Sequence, residues 1–143
     1  MAHHISRRPW PERYAGLALG AAFLSAVASR FGLWNGRPWD AAFTAFTAYT
    51  AEVNAFMPAW SIPFLAWSAT VAEAACGTLL VLGLFTEWTA VASAVLLAVF
   101  GTAMAVSQGV KSPLDYSVFS ASAAALLLAD RVRTRRHMGR PDA

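Results

Sequence analysis

Residues 88–106 read WTAVASAVLLAVFGTAMAV, a stretch of apolar and small residues that carries no charge. A helix rises 1.5 Å per residue, so about 20 residues cross the roughly 30 Å hydrocarbon core of a bilayer. The whole chain agrees with this pattern, because its 143 residues are 57% hydrophobic and only 13% charged. A soluble domain has about 25% charged residues, and a short chain has too little interior to hide so much apolar surface. The stretch therefore predicts a membrane-spanning helix.

Three further stretches have the length and composition of spanning helices, at about residues 14–33, 62–84 and 114–132. The turns around Gly83 and Gly109 are short, and short connections make neighbouring helices antiparallel. Within the first stretch, Ala26-Val27-Ala28 imitates a signal-peptide cleavage site, but we expect the stretch to be retained as a helix. The sequence predicts an all-α fold, a single-domain integral membrane bundle of four helices over residues 1–143.

The basic residues indicate the orientation of the bundle. An even number of spans places both chain ends on one side of the membrane. Short loops rich in Lys and Arg face the cytoplasm, so we expect both termini there, in a bacterial inner membrane. The sequence pI of about 9.6 does not indicate nucleic acid as a partner, since no basic stripe alternates with aromatic residues. The Lys/Arg residues at the two ends are Arg7, Arg8, Arg13, Arg131, Arg133, Arg135, Arg136 and Arg140, against Arg30, Arg37 and Lys111 on the other side.

The loop after the first span is long enough to hold its own helix. Gly36 and Pro38 end the first helix, and Asp40 can cap a new one that stops before Pro58. We expect an amphipathic helix at about residues 40–57, lying on the outer surface or tucked back against the bundle. Its apolar stripe contains Phe43, Phe46, Tyr49, Val53, Phe56 and Met57.

Charged residues within the hydrocarbon are the informative ones, because each is costly unless it is paired or faces a cavity. Glu73 lies at the middle of the second span, with Ala69 and Gly77 one turn away on either side, so it is expected to face protein. Arg30 lies about one turn below the outer end of the first span. Pairing Arg30 with Glu73 would have to bridge a depth difference of roughly 10 Å, which makes Glu52 an equally good partner.

Two interpretations of these charges stay open. Arg30, Glu52 and Glu73 form a structural polar network that locks the helices together, or they head a polar pocket that binds a group such as a quinone ring. The residues that we expect at such a pocket are Glu73, Arg30, Glu52, Trp67, Thr70, Tyr116 and Ser120.

No motif for catalysis or metal binding is present. The sequence lacks a phosphate-binding glycine loop, an HExxH motif and a serine–histidine–aspartate constellation. The histidines, His3, His4 and His137, are all in the tails, and Cys76 is the only cysteine. We therefore expect no catalytic residues, no metal site and no covalently bound cofactor, and a chain that is not catalytic on its own.

One block of the sequence resembles a known family. Residues 73–86, EAACGTLLVLGLFT, are similar to the second helix of the DoxX family, in which a glutamate is followed by a glycine, aliphatic residues and a GL-x-T turn. The first helix, with its glycines, its Phe23-Leu24 pair and a basic residue near the outer end, also fits. The resemblance extends over roughly residues 14–131 and includes the order of the four spans.

The resemblance implies a small subunit of a quinone-linked, respiratory or electron-transfer complex. On this hypothesis the chain stabilises a larger membrane assembly and lines a quinone site, with quinone or lipid as its ligand and membrane lipids around it. The alternative is a non-redox membrane binding protein, chaperone or assembly factor, because related four-helix proteins act in that way.

Overall fold

The computed structural model describes residues 10–138, which form six α-helices joined by turns, with no β-strand among them. A single 3-10 turn, Ala59–Ser61, precedes the third helix. The predicted all-helical class is confirmed. The helices are α1 Trp10–Arg30, α2 Trp39–Val53, α3 Ile62–Leu82, α4 Thr86–Gln108, α5 Lys111–Asp115 and α6 Val118–Met138.

The four long helices pack as two antiparallel pairs, α1 with α3 and α4 with α6. Small residues fix the α1–α3 crossing, where a Cβ on Gly20 would lie 2.8 Å from the carbonyl oxygen of Gly77. In the second pair the Ser122 hydroxyl donates a hydrogen bond to the Ala94 carbonyl at 2.8 Å. Small residues on α1 and α3 thus let the two backbones approach closely, which is also a common feature of helix pairs in membranes.

The backbone conformation at Gly83 ends α3 and starts the connection to α4. Gly83 has φ +69°, a left-handed conformation that glycine adopts without steric cost. The Leu84 amide donates to the Leu79 carbonyl at 2.9 Å, which closes α3 with a Schellman-type cap. The turn is as short as the sequence predicted, and α4 begins only four residues after α3 ends.

The fourth long helix differs from the predicted range of 114–132. Residues 111–115 form the separate helix α5, and Ser117 has φ +55°, which interrupts a continuous helix there. The helix α6 therefore starts at Val118 and continues to Met138. The hydropathy pattern did not include residues 133–138 in the span, because several of these residues are charged.

The helix α2 is shorter than the predicted 40–57 and ends at Val53. Phe56 and Met57, which the sequence placed on its apolar stripe, lie beyond its end and are exposed. The helix packs against α1, α3 and α4. Of the two predicted positions, the one tucked back against the bundle is therefore the one observed.

The basic end of α6 is tied to two other helices. Arg135 pairs with Glu12 of α1 at 2.7 Å, and Arg136 pairs with Glu87 of α4 at 3.1 Å. The start of α1, the start of α4 and the end of α6 therefore lie at the same end of the bundle. Arg7, Arg8 and Arg140 of the predicted basic ends lie outside the described residues.

Apolar side chains cover much of the outside of the bundle. In the described part of the chain, two helical stretches are long and apolar enough to span a membrane, Ala59–Leu82 and Thr86–Gln108. Only 33% and 39% of their most apolar windows are buried within the protein, whereas the core helix of a soluble protein is mostly buried. Most residues of these two windows are therefore not buried within the protein.

The α1–α3 crossing gives a testable consequence. Gly20→Ala should destabilise the bundle by about 1–3 kcal/mol, because its Cβ would meet Gly77 backbone at 2.8 Å. Gly16→Ala is the matched control, since its Cβ would lie 3.5 Å from the nearest backbone oxygen and alanine favours the helix by about 1 kcal/mol. Denaturant unfolding followed by circular dichroism in detergent measures both. Equal stabilities for the two variants would contradict the crossing.

Candidate functional site

A buried ion pair joins α1 to α3. The Arg30 Nη2 atom lies 2.8 Å from Oε1 of Glu73 and 2.7 Å from Oε2. The side chains are only 9% and 4% exposed. Of the two contacts, the one to Oε1 has hydrogen-bond geometry, and Oε2 accepts no hydrogen bond from the described residues.

Sequence reasoning disfavoured this pair on grounds of depth, and in this it was wrong. The Cα–Cβ bond in a helix tilts toward the helix N-terminus. Arg30 ends α1, so its long side chain points back into the bundle, while Glu73 on the antiparallel α3 points toward the outer end. The two side chains therefore approach each other along the helix axis and close the gap that the Cα positions suggested. Glu52, the alternative partner, lies exposed on α2.

Two more groups hold the Arg30 guanidinium in place. Nη1 donates to the Thr70 hydroxyl at 3.1 Å, and that hydroxyl donates to the Ala66 carbonyl at 2.8 Å. The guanidinium carbon lies 3.8 Å from the centroid of the Phe46 ring of α2, a cation–π contact that is stronger away from water. Arg30 thus connects α1, α2 and α3 at one point.

An apolar cavity of about 380 Å³ extends from this pair between α2, α3 and α4. Arg30 and Glu73 line its charged part. It reaches the surface at Ser68 and Val99, which both line it and are exposed. The volume is in the range of small-molecule sites, which are typically apolar with a few placed polar groups. The aromatic and aliphatic lining includes Phe46, Tyr49, Leu65, Leu96, Phe100 and Met104.

A second, more polar cavity of about 560 Å³ lies on the other side of Arg30. Asn35, Arg37, Tyr49 and Tyr116 line it together with Arg30. Burial raises the pKa of the Tyr49 phenol, and the nearby Tyr116 and Glu52 raise it further, while a hydrogen bond with Gln108 lowers it. Tyr49 is therefore a neutral hydroxyl at the boundary of both cavities.

The structure brings together three of the seven residues that we expected at a pocket: Arg30, Thr70 and Glu73 form the buried network. Tyr116 is exposed and lines only the second cavity. Trp67 is half-exposed and stacks on Phe43 with ring centroids 4.3 Å apart. Ser120 and Glu52 are exposed and line neither cavity.

Sequence reasoning missed the contribution of α2 and α4 to the site. Phe46 and Tyr49 were recognised as part of an apolar stripe, but not as cavity residues. Asn54, directly after the end of α2, is half-buried and also lines the cavity. The signal that could have found these residues is the aromatic content of the stripe, since an amphipathic helix that only covers a surface does not require aromatic rings beside polar groups.

The site consists of one charged pair and an apolar cavity. Among residues 10–138 no group of three His, Cys, Asp or Glu is placed to hold a metal ion. The His3 and His4 tail lies outside the described residues. Cys76, the single cysteine, is buried in the bundle core with Leu19, Phe23 and Leu80. The arrangement suits noncovalent binding of a molecule with a polar head and an apolar body.

Neither a protein-family model, nor a curated protein, nor a solved structure matches this chain. The resemblance to the DoxX family therefore stays a prediction from the residues quoted above.

Removing one member of the ion pair should be far more damaging than removing both. Glu73→Ala leaves a buried guanidinium without its counter-charge and should lower the free energy of unfolding by about 3–5 kcal/mol. The double variant Arg30→Met, Glu73→Met should recover most of that loss, because apolar side chains of similar volume replace buried ion pairs well. Denaturant unfolding in detergent gives all the values.

The exposed pair Lys111–Asp115 on α5 is the matched control. Asp115→Ala should cost about 0–1 kcal/mol, as solvent-exposed pairs do. If Glu73→Ala were as mild as Asp115→Ala, or if the double variant were less stable than Glu73→Ala, the buried pair would not have the role described.

Proposed function

We propose that this chain is an integral membrane bundle in which α1, α3, α4 and α6 each span the bilayer, with both ends in the cytoplasm of a bacterial inner membrane. Two observations support this. The windows of α3 and α4 are 33% and 39% buried, so most of their apolar surface needs a nonaqueous solvent. The other two long helices run antiparallel beside them at similar length, so they would lie in the same layer.

The distribution of charge supports the orientation. Arg131, Arg133, Arg135 and Arg136 lie in the last turns of α6, at the end shared with the starts of α1 and α4. The opposite end has Arg37 and Lys111 as its exposed basic residues in the described part of the chain. Cytoplasmic loops are richer in Lys and Arg, which places the α6 end in the cytoplasm.

This topology can be tested with single cysteines in a Cys76→Ala background. Lys111→Cys should react with a membrane-impermeant maleimide in intact spheroplasts, and Arg133→Cys only after lysis, because α6 would separate them by a bilayer. Both positions are exposed, so reactivity reports the side of the membrane. Equal labelling of the two in intact spheroplasts would exclude a spanning α6 and leave at most the two most apolar helices as spans.

For the biochemical role, we propose an accessory membrane subunit of a quinone-linked redox complex that binds a quinone-type molecule beside Arg30 and Glu73. The observation that carries this is the buried ion pair opening onto an apolar cavity of about 380 Å³. Because the cavity reaches the surface at Val99, near the middle of α4, a hydrophobic molecule could enter it directly from the bilayer. The sequence resemblance to DoxX proteins points to the same class of partner.

A larger assembly is part of this proposal. The outward face of α4 carries Val91, Val95 and Val99, all exposed, and offers an apolar surface to lipid or to a neighbouring subunit. The same surface would serve a membrane chaperone or assembly factor without a redox role. Purification in mild detergent separates these alternatives, since the first predicts that redox subunits copurify and the second predicts clients without cofactors.

Closing the cavity should remove the bound quinone without unfolding the protein. Ser68→Phe places a large ring at an exposed lining position, and quinone extracted from the purified protein should fall at least about tenfold relative to the unmodified chain. The matched control is Thr78→Phe, because Thr78 is exposed on the same helix and lines neither of the two cavities. Liquid chromatography of the solvent extract gives quinone per protein. Equal quinone content in both variants, or none in the unmodified chain, would contradict the proposal.

A further inference from the structure

The carboxylate of the ion pair accepts one hydrogen bond and has acceptor positions for more. Glu73 is 3% exposed, and its Oε2 receives no hydrogen bond from residues 10–138, although Nη2 of Arg30 lies 2.7 Å away. Nη2 donates instead to Oε1. An ionised carboxylate has about four acceptor positions on its two oxygens. Since Glu73 lines the cavity, a ligand in the cavity can donate a further hydrogen bond to this carboxylate.

The same site also has donors to spare. A guanidinium carries five N–H groups, and Arg30 uses one on Thr70 and one on Glu73. An optimal ligand head would therefore donate one hydrogen bond to Glu73 and accept one from Arg30. A hydroxyl group does both with a single oxygen, whereas a carbonyl or an ether oxygen can only accept.

The rest of the cavity specifies what carries that hydroxyl. Phe46 and Phe100 line it, along with aliphatic side chains such as Leu96 and Met104. Aromatic side chains favour offset or edge-on contact with another ring. A ring that bears a hydroxyl and continues into an apolar tail matches both the charged end and the apolar body.

We propose that the cavity prefers the hydroxyl form of an aromatic ring over its carbonyl form, so that it holds a quinol or another phenol more tightly than a quinone. This proposal rests on the proposed function, since it concerns the same site. In the proposed complex, the chain would then hold the reduced molecule, with Glu73 fixing its hydroxyl hydrogen and Arg30 its oxygen.

Saturation binding to nanodisc-embedded protein tests the preference, with empty nanodiscs as background. The probes are tritiated 4-nonylphenol, its methyl ether and tritiated ubiquinone-1. In the methyl ether a methyl group replaces the hydroxyl hydrogen of the phenol, and the rest of the molecule is the same. A hydrogen bond to a charged group gives the phenol an advantage of about tenfold or more in Kd over the ether and the quinone.

A variant that replaces the carboxylate with an uncharged amide tests whether Glu73 causes the preference for the phenol. In Glu73→Gln the amide oxygen can still accept from Arg30, and the amide nitrogen, which only donates, replaces one of the two acceptor oxygens of the carboxylate. The phenol advantage should fall to within about threefold, and ubiquinone-1 should gain affinity. The matched control is Glu52→Gln, an exposed carboxylate outside both cavities, which should keep the full preference. If Glu73→Gln fails to fold, the comparison of phenol and ether on the unmodified chain decides alone.

The outcomes separate the two proposals. A phenol advantage that disappears in Glu73→Gln and persists in Glu52→Gln supports the inference. Binding of ubiquinone-1 or the methyl ether as tightly as the phenol overturns the inference and leaves the proposed quinone site intact. Absence of saturable binding for all three probes overturns both.

Discussion

A guanidinium and a carboxylate lie against each other between the last turn of α1 and the middle of α3, both nearly out of reach of solvent. Removing two charges from water costs several kcal/mol per ion, and their attraction repays it only when the geometry is good and further hydrogen bonds are made. Thr70 and the Phe46 ring supply part of that requirement. This cation–π contact holds α2 beside the ion pair, because Phe46 lies on α2. The helix α2 in turn forms one wall of the cavity.

The packing beside the pair is open, because a cavity of about 380 Å³ begins there and is lined by Arg30 and Glu73. Elsewhere the helices approach closely, as at Gly20 and Gly77 or at Gly101, where a Cβ would lie 2.8 Å from the Phe119 ring. The close crossing at Gly20 lies in the middle of α1, and the cavity begins at Arg30, where α1 ends.

Much of the fold could be predicted from the sequence, because hydropathy and turn residues act locally. The short turn at Gly83 and the start of α1, four residues from the predicted one, are of this kind. The start of α6 could not be predicted in this way, since the left-handed backbone at Ser117 has no residue signature. The Arg30–Glu73 pair was underestimated because helix depth was counted at Cα atoms, and the direction of the side chains decides the contact. The cavity walls on α2 and α4 depend on tertiary packing, which residue spacing within one helix does not reveal.

The central claim is that Arg30 and Glu73 head a ligand cavity that opens to the bilayer. Photo-crosslinking tests it most directly, with a phenol that carries a diazirine in its alkyl tail, added to nanodisc-embedded protein and mapped by peptide mass spectrometry. The account predicts saturable labelling of cavity residues of α3 and α4, such as Leu65, Leu96 and Phe100, which excess unlabelled 4-nonylphenol suppresses. Labelling that does not saturate, or that falls only on outward-facing residues such as Phe64 and Val91, would contradict it.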